Sequence, residues 1–327
     1  MRSRIIGTGS YIPVRCVDNA EVSRPLSLDA DTVYRLTGIR SRHWADPTEM
    51  PSDLAEHAAK RACAYAGVDP ASIEAVVLST TSPDKPLPST ACALQSRLGV
   101  RGAAFDLSAS CSGFLYGLSM ADRFIRSGQF NRCLVVATEI KSRFLDPNDR
   151  ETAIIFADGA GAVVVESEQG NMGREGVLGV RLFADGSQHG LIGIAAGGSR
   201  RPTTAETLQR REHVLRMRGA SVFRTAVKLL AGAVTDLLKE FGYSLDDVDH
   251  AIFHQANGRL LSAVGKRVGL APEKLYSVIE RIGNPSSASL PIALDCANRE
   301  GRLRVGDLVV LGTFGGGLTW ATGLVRW

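Results

Sequence analysis

A chain of 327 residues, 44% hydrophobic and 22% charged, is long enough to bury one large core or two medium ones. Its net charge of +4 falls far short of the clustered excess of a nucleic-acid binder, and no run of roughly 18 apolar residues offers a membrane span. Six scattered cysteines (Cys16, Cys63, Cys92, Cys111, Cys133 and Cys296) contain no C-x-x-C pair, which argues against zinc ligation and against a disulfide framework.

The first residues, Met1 to Tyr11, read directly into a strand rather than a signal segment, so a cytoplasmic protein is expected. A helix follows over Leu54 to Ala66, and the marker Gly67-Val68-Asp69 leads to an apolar strand, Ala75 to Leu78, and on to Leu98-Gly99-Val100. Next come the small-residue run Ser108 to Gly113 around Cys111, an amphipathic helix ending at Gly128, and the strand Leu134 to Ala137. A glycine-rich turn, Phe156 to Gly161, opens the strand Ala162 to Val165. Pattern breaks between Ser167 and Leu178 divide the chain into a half of residues 1–170 and a half of residues 171–327. The arginine-rich stretch Gly197 to Gly219 lacks a period and reads as a surface loop or lid.

After a helix over Ser221 to Glu240, the same plan repeats. Gly242-Tyr243-Ser244 precedes the strand Ala251 to Phe253; a helix over Leu261 to Val268 ends at Gly269-Leu270. Asn284 to Gly301 has the same span as Cys111 to Gly128, and the strand Leu308 to Gly312 is followed by Phe314-Gly315-Gly316-Gly317 and the strand Ala321 to Val325. Apolar runs with little alternation suit strands covered on both faces. The sequence therefore predicts an α/β protein of two halves with mixed sheets, related by a pseudo-twofold axis.

That duplication matches Cys111 with Asn284, each expected at a helix start, and the axis can bring both to one pocket. Small neighbours let a substrate approach Cys111, and a helix N-terminus is expected to favour its thiolate. His254 begins His-Gln-Ala-Asn at the carboxyl end of a strand, where α/β sheets bind ligands. Taken singly, each has a plain structural reading: a buried cysteine, a core histidine, an asparagine cap.

Together the motifs resemble the ketoacyl-ACP synthase III group of the thiolase superfamily, which starts fatty acid synthesis. The resemblance runs from Ile5-Ile6-Gly7-Thr8-Gly9-Ser10-Tyr11 through Thr37-Gly38-Ile39-Arg40 to Phe314-Gly315-Gly316-Gly317-Leu318-Thr319-Trp320, with the cysteine, His-Gln-Ala-Asn and Gly283-Asn284 motifs in order between them. It implies a thiolase-like, layered αβαβα fold and a decarboxylative condensation of acyl-CoA with malonyl-ACP through an acyl-Cys111 intermediate. His254 and Asn284 would hydrogen-bond the malonyl thioester carbonyl, and the backbone NH groups of Cys111 and Gly316 would form an oxyanion hole. The same resemblance implies substrate contacts at Leu87, Arg150 and Phe314, no cofactor, and a homodimer. Thiolases carry a second cysteine in the last glycine loop; only glycines stand at 315 to 317, so decarboxylation must generate the nucleophile.

An acyl carrier protein is acidic, which suits a basic face on Arg259, Lys266, Arg267 and Arg224, with Gln255 beside them. Three features depart from the family: Thr32 and Leu36 stand where many members have the tryptophan and basic residue that sandwich coenzyme A, Pro285 replaces a threonine, and Leu87 a phenylalanine. They support an alternative within the same fold, a secondary-metabolite enzyme making alkylquinolone or polyketide starters or transferring acyl groups. A papain-like hydrolase lacks its local cysteine signature here, and Gly159-Ala160-Gly161 alone does not make a nucleotide site.

Overall fold

The computed structural model describes residues 2–168 and 175–327. Its strands are, up to the end of the first half, β1 (Arg2–Tyr11), β2 (Arg15–Asp18), β3 (Ser41–Trp44), β4 (Ala75–Ser79), β5 (Ala103–Leu107), β6 (Arg132–Ile140) and β7 (Asp158–Glu168). Then follow β8 (Gly176–Ala184), β9 (Ile192–Ile194), β10 (Leu215–Met217), β11 (His250–Phe253), β12 (Leu275–Tyr276), β13 (Leu308–Gly315) and β14 (Thr319–Arg326). The helices are α1 (Asn19–Ser23), α2 (Ala30–Thr37), α3 (Pro51–Ala66), α4 (Thr90–Arg97), α5 (Gly113–Arg126), α6 (Ala205–Gln209), α7 (Gly219–Glu240), α8 (Gly258–Val268), α9 (Ile279–Ile282) and α10 (Ser289–Arg299).

Two five-stranded sheets have one topology, β5-β4-β6-β7-β1 and β12-β11-β13-β14-β8. In each, the second strand of that order pairs in parallel with both neighbours and the rest is antiparallel. The apolar runs do cover both faces, because side chains alternate between two cores. Cys133, Val135 and Ala137 of β6 point to a central cluster with Val309 and Leu311 of β13, whereas Leu134 and Val136 face an outer cluster with α3. Leu308 and Val310 of β13 face the opposite outer cluster, with α7 and α8. Phe114, Leu115 and Leu118 of α5 and Leu290, Ile292 and Ala293 of α10 fill the central layer. The order is therefore helix, sheet, helix, sheet, helix, the layered αβαβα arrangement of the thiolase-like fold.

The division at 170/171 lies outside the described residues. Strands to Glu168 build the first sheet, and those from Gly176 build the second. The arginine-rich stretch is more ordered than a loop: it contains α6 and β10, which pairs with β9. Arg211 and Arg216 also reach Asp146 at 2.6 and 2.9 Å, fastening it to the segment after β6. These ion pairs cross long sequence distances, so no local pattern announces them.

Among the described residues no helix is long and apolar enough to cross a membrane.

Candidate active site

Cys111 sits in a single 3-10 turn, Ser110–Ser112, that feeds α5. Ser110 opens the turn in the left-handed region at φ 48°, and in the second half Ser286 opens the turn before α10 at φ 50°. Aligning these two serines sets Cys111 against Ser287. The matching of Cys111 with Asn284 is thus corrected: α10 has 11 residues to the 14 of α5, and the equal spans concealed this difference. Asn284 stands two residues before its turn rather than at a helix start, and it is held by the other half. Its NH donates to Ile155 O at 3.1 Å and its carbonyl accepts from Ala157 NH at 3.0 Å. Gly283 makes that approach possible, since at φ 70° a side chain is disfavoured and a Cβ would lie 2.8 Å from Arg42 Cβ.

The structure brings the three expected residues together through the turn of Ser286. Ser286 Oγ lies 3.3 Å from Cys111 Sγ, and Ser286 NH donates to Asn284 Oδ1 at 2.8 Å. The Ser286 backbone also hydrogen-bonds the His254 ring. With its Oδ1 accepting and its Nδ2 donating to Ala256 O at 3.2 Å, the Asn284 amide has a defined orientation, and the second Nδ2 hydrogen remains for a ligand. His254 follows β11, and its NH donates to Gly312 O at 2.7 Å. Its Nδ1 lies 2.5 Å from Ser289 Oγ, which also accepts from Gln255 NH at 3.0 Å. Nδ1 being engaged, Nε2 is the nitrogen available to substrate.

Electrostatics set the resting state. Burial pushes the Cys111 thiol up to about 11, outweighing the Ser286 hydrogen bond and the charge of Lys141. The expectation of a thiolate favoured at rest is corrected: burial favours the neutral thiol, because loss of hydration exceeds what the Ser286 hydrogen bond and the Lys141 charge return. Burial likewise pushes His254 down to about 3, so its ring is neutral at working pH. Cys111 nonetheless keeps partial exposure and stays open to a reactant. Two neutral donors beside a reachable thiol can stabilise an enolate oxygen without a fixed positive charge that would hold the malonyl carboxylate in place.

Gly315 closes the site from β13. A Cβ there would fall 2.6 Å from Cys111 N and 3.0 Å from Cys111 Cβ, so only hydrogen fits. Ser112 Oγ donating to Thr319 O at 3.0 Å and Thr319 Oγ1 donating to Ala109 O at 2.9 Å fasten the cysteine turn to β14. Gly315→Ala is expected to slow acylation of Cys111 about 100-fold, as a displacement near 1 Å does, with the fold kept. Rapid-quench mass spectrometry beside circular dichroism checks this, and an unaltered rate would refute the packing argument.

Other expectations divide. Gln255 does not belong to a carrier surface, because it has no exposed area. Its Oε1 accepts from Val278 NH, Ile279 NH and Ser277 Oγ at 2.9, 3.0 and 3.1 Å, and its Nε2 donates to Phe253 O at 2.7 Å. It pegs the strand end that carries His254. Leu87 is 83% exposed and lines no pocket around the Cys111 of its own chain, since the loop before α4 turns it to solvent. Arg150 is exposed without an ion pair among the described residues, and Phe314 is buried in the outer core one residue before Gly315. Arg224, Arg259, Lys266 and Arg267 are exposed and likewise make no ion pair among the described residues. Thr32 bonds Asp29 at the start of α2, and Leu36 packs beside Val17, Val22 and Val33. Sequence reasoning missed Ser286 and Ser289, which look like parts of a serine-rich cap, and Glu139 and Lys141, which look like a solvated strand end.

A partly exposed cysteine opposed to a neutral histidine and an asparagine, in a duplicated thiolase-like fold, is the arrangement of a condensing enzyme. Models of 3-oxoacyl-[acyl-carrier-protein] synthase III match residues 105–186, and of its C-terminal part residues 238–327. The beta-ketoacyl-[acyl-carrier-protein] synthase III of Bradyrhizobium sp. is 43% identical over 100% of this chain and 99% of its own. The crystal structure of the Pseudomonas aeruginosa 3-oxoacyl-(acyl carrier protein) synthase III has a TM-score of 0.91 at 36% identity, covering 100% of this chain and 98% of the other. The priming beta-ketosynthase of the R1128 polyketide biosynthetic pathway has a TM-score of 0.91 at 34% identity, covering 99% and 96%. The chain belongs to the 3-oxoacyl-[acyl-carrier-protein] synthase III family.

Proposed function

We propose that the protein condenses an acyl-CoA with malonyl-ACP, releasing carbon dioxide and a 3-ketoacyl-ACP, and so initiates fatty acid synthesis. The observation that carries this reading is the junction of Cys111, His254 and Asn284 at Ser286. In the first step the Cys111 sulfur attacks the thioester carbonyl, the carbon–sulfur bond to coenzyme A breaks, and the thiol proton ends on the departing sulfur. In the second, the malonyl carbon–carboxylate bond breaks and its electron pair forms an enolate. That oxygen is held by His254 Nε2–H and Asn284 Nδ2–H. The enolate carbon then attacks the acyl-Cys111 carbonyl, whose oxygen the NH groups of Cys111 and Gly316 stabilise, and the cysteine departs.

Intact-mass analysis with a panel of acyl-CoAs, chased with malonyl-ACP, tests the reading. Acylation at Cys111 and ketoacyl product from short starters support it; absence of either refutes it. Thr32 and Leu36, which offer no aromatic and basic pair to an adenine, favour a second reading, the priming of a specialised pathway from an unusual starter. Preference for long or unusual acyl groups in the same panel would decide for that reading.

We further propose that Arg259, without an ion pair among the described residues, together with Arg224, Lys266 and Arg267 on the packed helices α7 and α8, receives the acidic carrier protein. Arg259→Glu is expected to raise KM for malonyl-ACP about tenfold, with acyl-CoA loading unchanged. Steady-state kinetics in which both substrates were equally affected would overturn that placement. The open edge of β5 and the exposed Leu87 are surfaces a second copy would cover in a homodimer, which gel filtration tests. A cytoplasmic location agrees with six free cysteines.

A further inference from the structure

Beside the nucleophile lies a buried ion pair. Glu139, near the end of β6, has no exposed surface, and Lys141 keeps 6%. Lys141 Nζ stands 2.9 Å from Glu139 Oε2. Burying each ion costs several kcal/mol, and apolar residues of similar volume often serve stability as well or better. The site meets that cost with a full set of partners. Glu139 Oε1 accepts from Ser287 Oγ at 2.8 Å, and Oε2 accepts from Ser82 Oγ at 2.8 Å and Thr81 NH at 3.2 Å. Thr81 Oγ1 lies 3.1 Å from Oε1 and also receives Lys141 Nζ.

This network is continuous with the catalytic turn. Ser287, held by Glu139, is the residue matched with Cys111 across the pseudo-twofold, and it follows Ser286, whose hydroxyl contacts the Cys111 sulfur. The charged groups acting on Cys111 are Lys141, which favours the ionised sulfur, and Glu139, which opposes it more weakly. The remaining titratable neighbour, His254, is neutral. The other elements packed on the cysteine turn present Gly315 of β13, Thr319 of β14 and Gly113 of α5, all uncharged.

We propose that Lys141 is a positioning residue for acyl transfer: its ammonium, clamped by Glu139 and Thr81, balances the negative charge that gathers on the Cys111 sulfur as the thiol proton leaves. Glu139 has two tasks, to fix that ammonium and to tie the Ser286–Ser289 turn to the first sheet. The inference rests on Cys111 being the acyl acceptor, but it is read on the free thiol, without any acyl substrate. Its failure and the failure of the proposed reaction are therefore distinguishable.

The test is the pH profile of Cys111 alkylation by iodoacetamide, followed by peptide mass. Lys141→Met is expected to react about tenfold more slowly near pH 8, its profile displaced upward by about one unit. Lys141→Arg keeps the cation and stays within about threefold of the parent. Because Lys141→Met leaves Glu139 unpaired, the neutral double variant Lys141→Met/Glu139→Gln serves if the single one fails to fold. It shows the same displacement, smaller because the opposing carboxylate is gone. A profile of either variant superimposable on the parent overturns the proposal. So does loss of condensation with unchanged alkylation, which would assign the pair to the fold alone.

Discussion

Incubated with acetyl-CoA, the Cys111→Ala variant keeps its intact mass, whereas the parent gains one acyl group that maps to Cys111. Condensation falls on the order of 10⁶-fold, the scale on which removal of a covalent nucleophile acts. The loss is this large because nothing else in the site can carry the acyl group. Ser286 and Ser289 present hydroxyls, but both are buried, and Ser289 Oγ is already held by His254 Nδ1 and Gln255 NH. The other cysteines serve as internal controls. Burial pushes Cys63 up to about 11, against the opposing charge of Arg132, and Cys133 up to about 12, while Cys16 and Cys92 are exposed. An acyl group found on any of them would remove Cys111 from its role. The alanine change itself is small and leaves the turn fixed by Ser112 and Thr319, so an unfolded variant is not expected.

The second large effect separates the two half-reactions. His254→Ala and Asn284→Ala still take up acyl groups, but release carbon dioxide from malonyl thioester about 10² to 10³ times more slowly, the range for loss of one oxyanion donor. A preloaded acyl-enzyme and radiolabelled malonyl-ACP measure this directly; full decarboxylation by either variant would sink the assignment. The parent's decarboxylation should also be flat between about pH 5 and 8. The ring titrates near 3 in the folded protein instead of at its ordinary 6.5, so no proton enters the donor pair across that window. Stability follows the opposite course to that of a histidine whose pKa an ion pair raises. Below 6.5 the unfolded chain takes up a proton that the folded chain refuses, so His254 costs stability progressively as pH falls from 6.5 toward 3. His254→Gln removes this cost, and urea unfolding of both proteins at pH 5 and 7 detects the difference.

Much of the architecture was legible because duplication leaves the same marks twice. The strands 134–137 and 308–312 announce themselves by unbroken apolar character; the second is followed by a glycine turn into its antiparallel neighbour, whereas Gly159 and Gly161, expected in a turn, lie inside β7 and pair with β6. The three residues that meet at Ser286 were legible for a different reason: a cysteine among small residues, His-Gln-Ala-Asn and Gly-Asn are locally unusual, and their order matches one family. The pairing of Cys111 with Asn284 failed because a repeat in sequence counts residues, whereas the fold aligns backbone turns. Three residues fewer in α10 shift the match to Ser287. Gln255 failed for a related reason, since a polar residue beside a functional histidine can face inward as readily as outward.

By itself, then, the sequence determined the two α/β halves, which cysteine, histidine and asparagine to look for together, and the absence of a cysteine from the last glycine loop. These are properties of residue type and order, which survive without coordinates. Only the tertiary structure decided the resting charge of the thiol, the orientation of the Asn284 amide and the presence of Lys141 and Glu139 beside the nucleophile. Burial, hydrogen-bond partners and through-space charge arise between residues far apart in the chain: Glu139 meets Ser287 only once the two sheets close on the central helices.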